Sequence, residues 1–142
     1  NTVTAAKEAD VQRIVLTSTS SVLGPNWEPK PMIESDASDL EGAPDYFFRK
    51  RLKEERAIEC FDREGVELVS ICLSVFIGPY EFRPSASFPT VTGYLFDPMK
   101  LTYPGGVNII HVQVVARDHL LLGEKGVPGV RYLVCGGNME WP

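Results

Sequence analysis

Apolar and polar positions alternate along this chain between a helical rhythm and short unbroken apolar runs. Ala5, Ala6, Lys7, Glu8 and Ala9 are strong helix formers, and Asp10 follows as a stop. Arg13-Ile14-Val15-Leu16-Thr17 is a β-rich run that ends in Ser18-Thr19-Ser20-Ser21. A continuous apolar run ending in small hydroxyl residues fits a buried parallel strand whose carboxyl end opens into a cleft. Gly24 to Pro44 reads as loop, rich in proline and carrying the acidic residues Glu34, Asp36, Asp39 and Glu41. Asp45 is an N-cap for a long helix from Tyr46 to Arg63, which Gly65 ends in the C′ position. Val66 to Ser74 is a second buried strand and closes on a turn at Phe76-Ile77-Gly78-Pro79. Pro84 to Pro104 reads as irregular. Asn108 to Val112 makes a short strand, Val114 to Glu124 a helix, and Arg131 to Cys135 a last strand stopped by Gly136-Gly137.

This order predicts an α/β protein built on a doubly wound parallel sheet. About three sheet strands are few for a sheet covered on both faces. The chain also starts with Asn1 rather than Met, and Asn1 to Ala9 reads as the last turns of a helix. Both features lead us to expect a piece of something longer. A sheet lacking its earlier strands would expose the edge at Arg13 to Thr17, which needs a homodimer mate or another chain to cover it.

Composition narrows the function classes. The 142 residues are 44% hydrophobic and 23% charged, an ordinary balance for one folded domain. A net charge of -5 gives no basic footprint for nucleic acid or anionic lipid, so neither is expected as a partner. The longest apolar stretch, Val107 to Leu122, is broken by His111, Gln113, Arg117, Asp118 and His119 and does not suit a membrane span. Cys60, Cys72 and Cys135 have no metal-ligand spacing, sit in apolar contexts and read as buried, reduced thiols of a cytoplasmic protein. His111 and His119 are too few to hold a metal and read as structural. Arg83 and Arg131 suit bidentate contact with an anionic substrate group, although surface pairing is the commoner fate of an arginine.

Chemistry gathers at Tyr46 and Lys50, four apart and therefore on one helix face. A phenol is a poor base at neutral pH, and a nearby ammonium favours its phenolate. A tyrosine tuned this way exchanges a proton with an alcohol or carbonyl while a hydride moves to or from a nicotinamide. The pair alone is weak, because a surface tyrosine beside a snorkelling lysine has the same spacing. The preceding strand strengthens it, since a hydroxyl at a strand's carboxyl end is where open α/β sheets place ligand contacts.

Taken in order, these segments resemble an extended short-chain dehydrogenase/reductase of the epimerase/dehydratase, dihydroflavonol-reductase-like branch. Arg13-Ile-Val-Leu-Thr-Ser-Thr-Ser-Ser-Val-Leu-Gly24 is similar to that family's strand and hydroxyl loop, with Thr19 five before the closing glycine. Tyr46-Phe-Phe-Arg-Lys50 with Glu54 downstream resembles its Y-x-x-x-K helix, and Ile71 to Pro79 resembles the turn after its next strand. Asn108-Ile-Ile-His-Val112, Val115 to His119 and Arg131 to Gly136 continue the pattern. Arg49 stands where serine is commonest, Leu73 where proline is usual, and Gln113-Val114 where an acidic residue is usual.

The resemblance implies a partial Rossmann-type fold with part of a small substrate-binding region. Residues 1–80 would be the catalytic half, 81–112 the irregular substrate side, and 113–142 the returning helix and last strand. It implies NAD or NADP as cofactor, with Tyr46 as general acid/base, Lys50 holding the nicotinamide ribose, and Thr19 orienting the substrate oxygen. Leu73 would meet the nicotinamide; Ser18, Ser74 and Arg83 would meet a small-molecule substrate. No Gly-x-x-Gly-x-x-Gly follows a first strand. That keeps open a second reading, a non-catalytic module serving oligomerisation or protein interaction.

Overall fold

A computed structural model describes residues 2–26, 28, 30–80, 82–83, 88–99 and 105–140. Its elements run α1 (Thr2–Glu8), β1 (Arg13–Thr19), a 3-10 turn (Ser20–Leu23), α2 (Asp45–Glu64), β2 (Glu67–Leu73), β3 (Val75–Ile77), α3 (Phe88–Phe96), β4 (Gly106–His111), α4 (Val112–Lys125), β5 (Arg131–Val134) and β6 (Gly137–Glu140). The main sheet is parallel, in the order β1-β2-β5, and pairs Thr19 with Leu73 and Leu73 with Val134 at its carboxyl edge. This is the expected α/β architecture.

Strand alternation sorts the two faces. Toward α1 and α2, Ile14, Leu16 and Leu68 join Ala6, Phe61 and Val66, with Ala57 and Ile58 against them. Toward α4, Ile71, Leu73 and Val134 join Ile110 and Val115, with Val15 and Leu122 packed on. Ile71 is fully buried, and such a side chain contributes roughly 1.5–3 kcal/mol relative to exposure. Because β1 and β2 are parallel, α2 must run back against them, so its first turn sits at the sheet's carboxyl edge.

Helix ends follow their sequence signals. Asp10 takes φ 53 and donates its N–H to Lys7 O, while Val11 donates to Ala6 O, a Schellman closure with aspartate in the left-handed position. Gly65 does the same for α2 at φ 72, and Val66 N–H reaches Phe61 O. Asp45, expected as an N-cap, is already the first residue of α2 and pairs with Arg49 at 3.5 Å across one turn.

Three segments differ from expectation. Phe76 and Ile77, expected to open a turn, belong to the strand Val75–Ile77, parallel to β4, because its β-branched and aromatic residues pair with Ile109–His111. Gly137–Glu140 forms β6, antiparallel to β4, where a stop was expected. Its residues have low strand propensity, and Asn108 holds the approach by bonding Gly136 O, Gly136 N and the Asn138 side chain. Phe88–Phe96 is a helix inside the segment expected to be irregular, with Pro89 in the first turn where its missing N–H costs nothing. Residues 97–99 follow this helix without regular structure, and residues 84–87 and 100–104 of that segment lie outside the described residues.

Candidate active site

Tyr46 opens the exposed end of α2 and is half exposed, and the Lys50 ammonium stands 5.3 Å from its ring centroid. The neighbouring Phe47 ring meets Tyr46 edge-on at 6.0 Å. Both reactive groups therefore stand at the carboxyl edge of a parallel sheet, on the side open to solvent. Thr19 ends β1 at the same edge, and its hydroxyl caps the 3-10 turn, accepting from Ser21 N–H at 3.3 Å and donating to Ser21 Oγ at 3.2 Å.

The other expected contacts divide. Ser18 points to the opposite face from Thr19, toward its register partner Cys72, whose thiolate its hydroxyl favours. Leu73 is buried in the α4-side core. Ser74 is buried, and its hydroxyl has no hydrogen-bond partner among the described residues. Of the cysteines expected to be buried, Cys72 is, whereas Cys60 and Cys135 are exposed. Arg83 is exposed beyond β3. The structure brings Thr19, Tyr46 and Lys50 to one edge, and Leu73 and Ser74 lie buried at the carboxyl end of β2, at that same edge.

The histidines work locally. His119 Nε2 lies 2.9 Å from Thr17 Oγ1 while its Nδ1 lies 2.8 Å from Val115 O. A carbonyl can only accept, so Nδ1 carries the proton and Nε2 accepts from the threonine. His111 caps α4, its Nδ1 accepting from Gln113 N–H at 3.2 Å.

Sequence reasoning missed a buried polar cluster under α2. Glu54, 1% exposed, accepts from the Ser70 hydroxyl, from Cys72 Sγ at 3.5 Å and from Arg131 Nε at 3.2 Å. Arg131, expected as surface-paired or substrate-facing, is thereby committed to the interior. Burial pushes the Cys72 thiol up to about 11, the Glu54 carboxylate adds to the shift, and Ser70, Ser18 and Arg131 oppose it. The signal was present: Glu54 shares the inward stripe of Ala57, Ile58 and Phe61, and Ser70 interrupts an apolar strand.

No protein-family model matches the chain. Sterol demethylase protein B of Methylococcus capsulatus is 30% identical over 131 residues, covering 92% of this chain and 40% of that protein. Cinnamoyl-CoA reductase 2 of Medicago truncatula is 30% identical over 144 residues, covering 95% of this chain and 43% of that protein. The solved structure of a nucleoside-diphosphate-sugar epimerase from Pseudomonas aeruginosa superposes with a TM-score of 0.81 at 25% identity, covering 97% of this chain and 46% of that one. The chain is similar to the extended short-chain dehydrogenases/reductases, which these relatives and neighbours support. It spans about 40% of the length of the curated relatives it matches. Members of this family of reductases and epimerases are NAD(P)-dependent, and the resemblance read from the ordered motifs holds. Among the described residues no helix is long and apolar enough to cross a membrane.

Proposed function

We propose that this chain supplies the proton-transfer side of an NAD(P)-dependent reductase or epimerase that acts on an alcohol or carbonyl. The observation that carries the reading is the Lys50 ammonium over the Tyr46 ring at the sheet's carboxyl edge, the same edge at which Thr19 ends β1. Open parallel sheets bind their ligands at that edge. The half-exposed pair suits the nicotinamide-ribose end of the cofactor, with Lys50 as the group to hold the ribose. The Gly-x-x-Gly-x-x-Gly spacing in these 142 residues, Gly123, Gly126 and Gly129, closes α4 instead of joining a strand to a helix N-terminus, so it does not suit the pyrophosphate end.

In the reducing direction Tyr46 donates its phenolic proton to the substrate oxygen as that oxygen gains charge. The Lys50 ammonium stabilises the negative charge left on the phenol oxygen. Thr19 orients the substrate oxygen, which requires its hydroxyl proton to turn away from Ser21 Oγ. The bound nicotinamide would supply or accept the hydride. Arg83, exposed and cationic, suits an anionic group on a sugar nucleotide or a small ketone substrate.

A fluorescence titration with NADPH and NADH tests the cofactor half of this reading. A dissociation constant below about 1 mM, weakened by Lys50→Ala, is the expected result. A second reading has its own support. β1 has no strand partner on its outer edge among the described residues, which suits a module whose partner, a second copy or another chain, adds a strand there. Absence of any NAD(P)H binding would favour that module.

A further inference from the structure

We propose that Arg51 is a positioning residue that sets the Thr19 turn against the Tyr46 helix, and this rests on the catalytic reading above. Arg51 follows Lys50 directly on α2 and points inward to the chain leaving β1. Its Nε donates to Val22 O at 2.7 Å and its Nη2 to Ser38 O at 3.1 Å. One guanidinium thus holds two main-chain carbonyls from segments that no regular element joins. Among the described residues its charge meets no carboxylate, so its bonds serve geometry rather than ion pairing.

The carbonyls it holds belong to a tightly closed knot. Val22 and Leu23 are buried at 1% and 2% exposure. Ser38 returns to the turn, its N–H and its hydroxyl both donating to Leu23 O, at 2.8 and 3.1 Å. Gly24 sits between them at φ 90, and a Cβ there would stand 2.2 Å from Ser38 Oγ and 3.1 Å from Arg51 Nη2. The same turn begins at Thr19, whose hydroxyl caps it through Ser21. Thr19 is therefore tied to α2 by a short path: from its own cap, through Val22 O, to a side chain five residues along the helix from Tyr46.

Proton donation and oxygen orientation must converge on one substrate atom, and a misplacement of about 1 Å can cost on the order of 100-fold in rate. Arg51 fits the role because a planar fork can serve two acceptors at once. Lysine at the same place can serve only one of them firmly.

The test compares Arg51→Met and Arg51→Lys with wild type in carbonyl reduction, using an aryl aldehyde as probe and following NADPH oxidation. Amide hydrogen exchange of residues 19–24 is read in parallel. Arg51→Met should lower kcat by about 10- to 100-fold while the NADPH dissociation constant stays within about threefold. Arg51→Lys should recover part of kcat, and exchange in 19–24 should quicken in both variants while β2 stays protected. If Arg51→Met does not fold, the Arg51→Lys kcat and exchange decide alone. Unchanged kcat in either folded variant, or a loss carried by cofactor affinity, overturns the proposal. Tyr46→Phe separates the two levels. If it leaves turnover intact the catalytic reading fails; if it abolishes turnover and Arg51→Met does not, only the positioning role fails.

Discussion

Replacing Glu54 probes how α2 is seated on the sheet. The carboxylate is 1% exposed and collects bonds from Ser70, Cys72 and Arg131, whose side chain keeps 23% exposure. Glu54→Ala strips all these donors of their acceptor, leaves a cavity and strands the Arg131 charge. Breaking a buried pair by removing one member typically costs about 3–5 kcal/mol. Arg131 can recover some water through its exposed part, so the lower end, about 3 kcal/mol, is expected here. Glu54→Gln keeps the volume and one acceptor oxygen, and losing only the charge-assisted part of the network should cost about 1–2 kcal/mol. Urea unfolding followed by far-UV circular dichroism gives both values if the slope is unchanged. A cycle with Arg131→Met should show a coupling of at least about 1 kcal/mol. A Glu54→Ala protein within about 1 kcal/mol of wild type, or a coupling near zero, would mean that the cluster does not hold the helix.

The raised Cys72 thiol makes two further predictions. At pH 8 its thiolate fraction is about one in a thousand, so iodoacetamide should modify the exposed Cys60 first and Cys72 only on unfolding; fast native labelling of Cys72 would contradict its burial. Because its pKa is raised to about 11 from 9.0, unfolding releases a proton between those values. The stabilisation is complete below pH 9 and declines as pH rises toward 11, by up to about 3 kcal/mol, and Cys72→Ala should flatten that decline in a pH series of urea midpoints.

Much of this architecture is legible in the residues. An unbroken apolar run at Ile14–Leu16, a mostly apolar one at Val66–Ser74, a helix closed by Gly65 and hydroxyls after the first strand placed Thr19, Tyr46 and Lys50 at one edge of a parallel sheet. The pattern failed where pairing, not composition, decides structure. Gly137–Glu140 becomes a strand because β4 offers it an edge, and Val75–Ile77 because β4 lies alongside. It also failed where a side chain's direction depends on strand parity: Ser18 and Thr19 read alike as neighbours, yet one points toward Cys72 under α2 and the other caps the turn. Long-range contacts such as Arg51 to Ser38 O, or Glu34 accepting from Leu133 N–H at 3.1 Å, have no local signature.

The proton-transfer role of Tyr46 is tested most directly by single-turnover carbonyl reduction, wild type against Tyr46→Phe, with NADPH affinity measured on the same samples. Removing one oxygen from a half-exposed phenol leaves the packing with Phe47 and Lys50 in place. The expected result is a fall in rate of roughly 100- to 10,000-fold with cofactor affinity within a few-fold. An undiminished rate in Tyr46→Phe would contradict the assignment of Tyr46 as the proton donor.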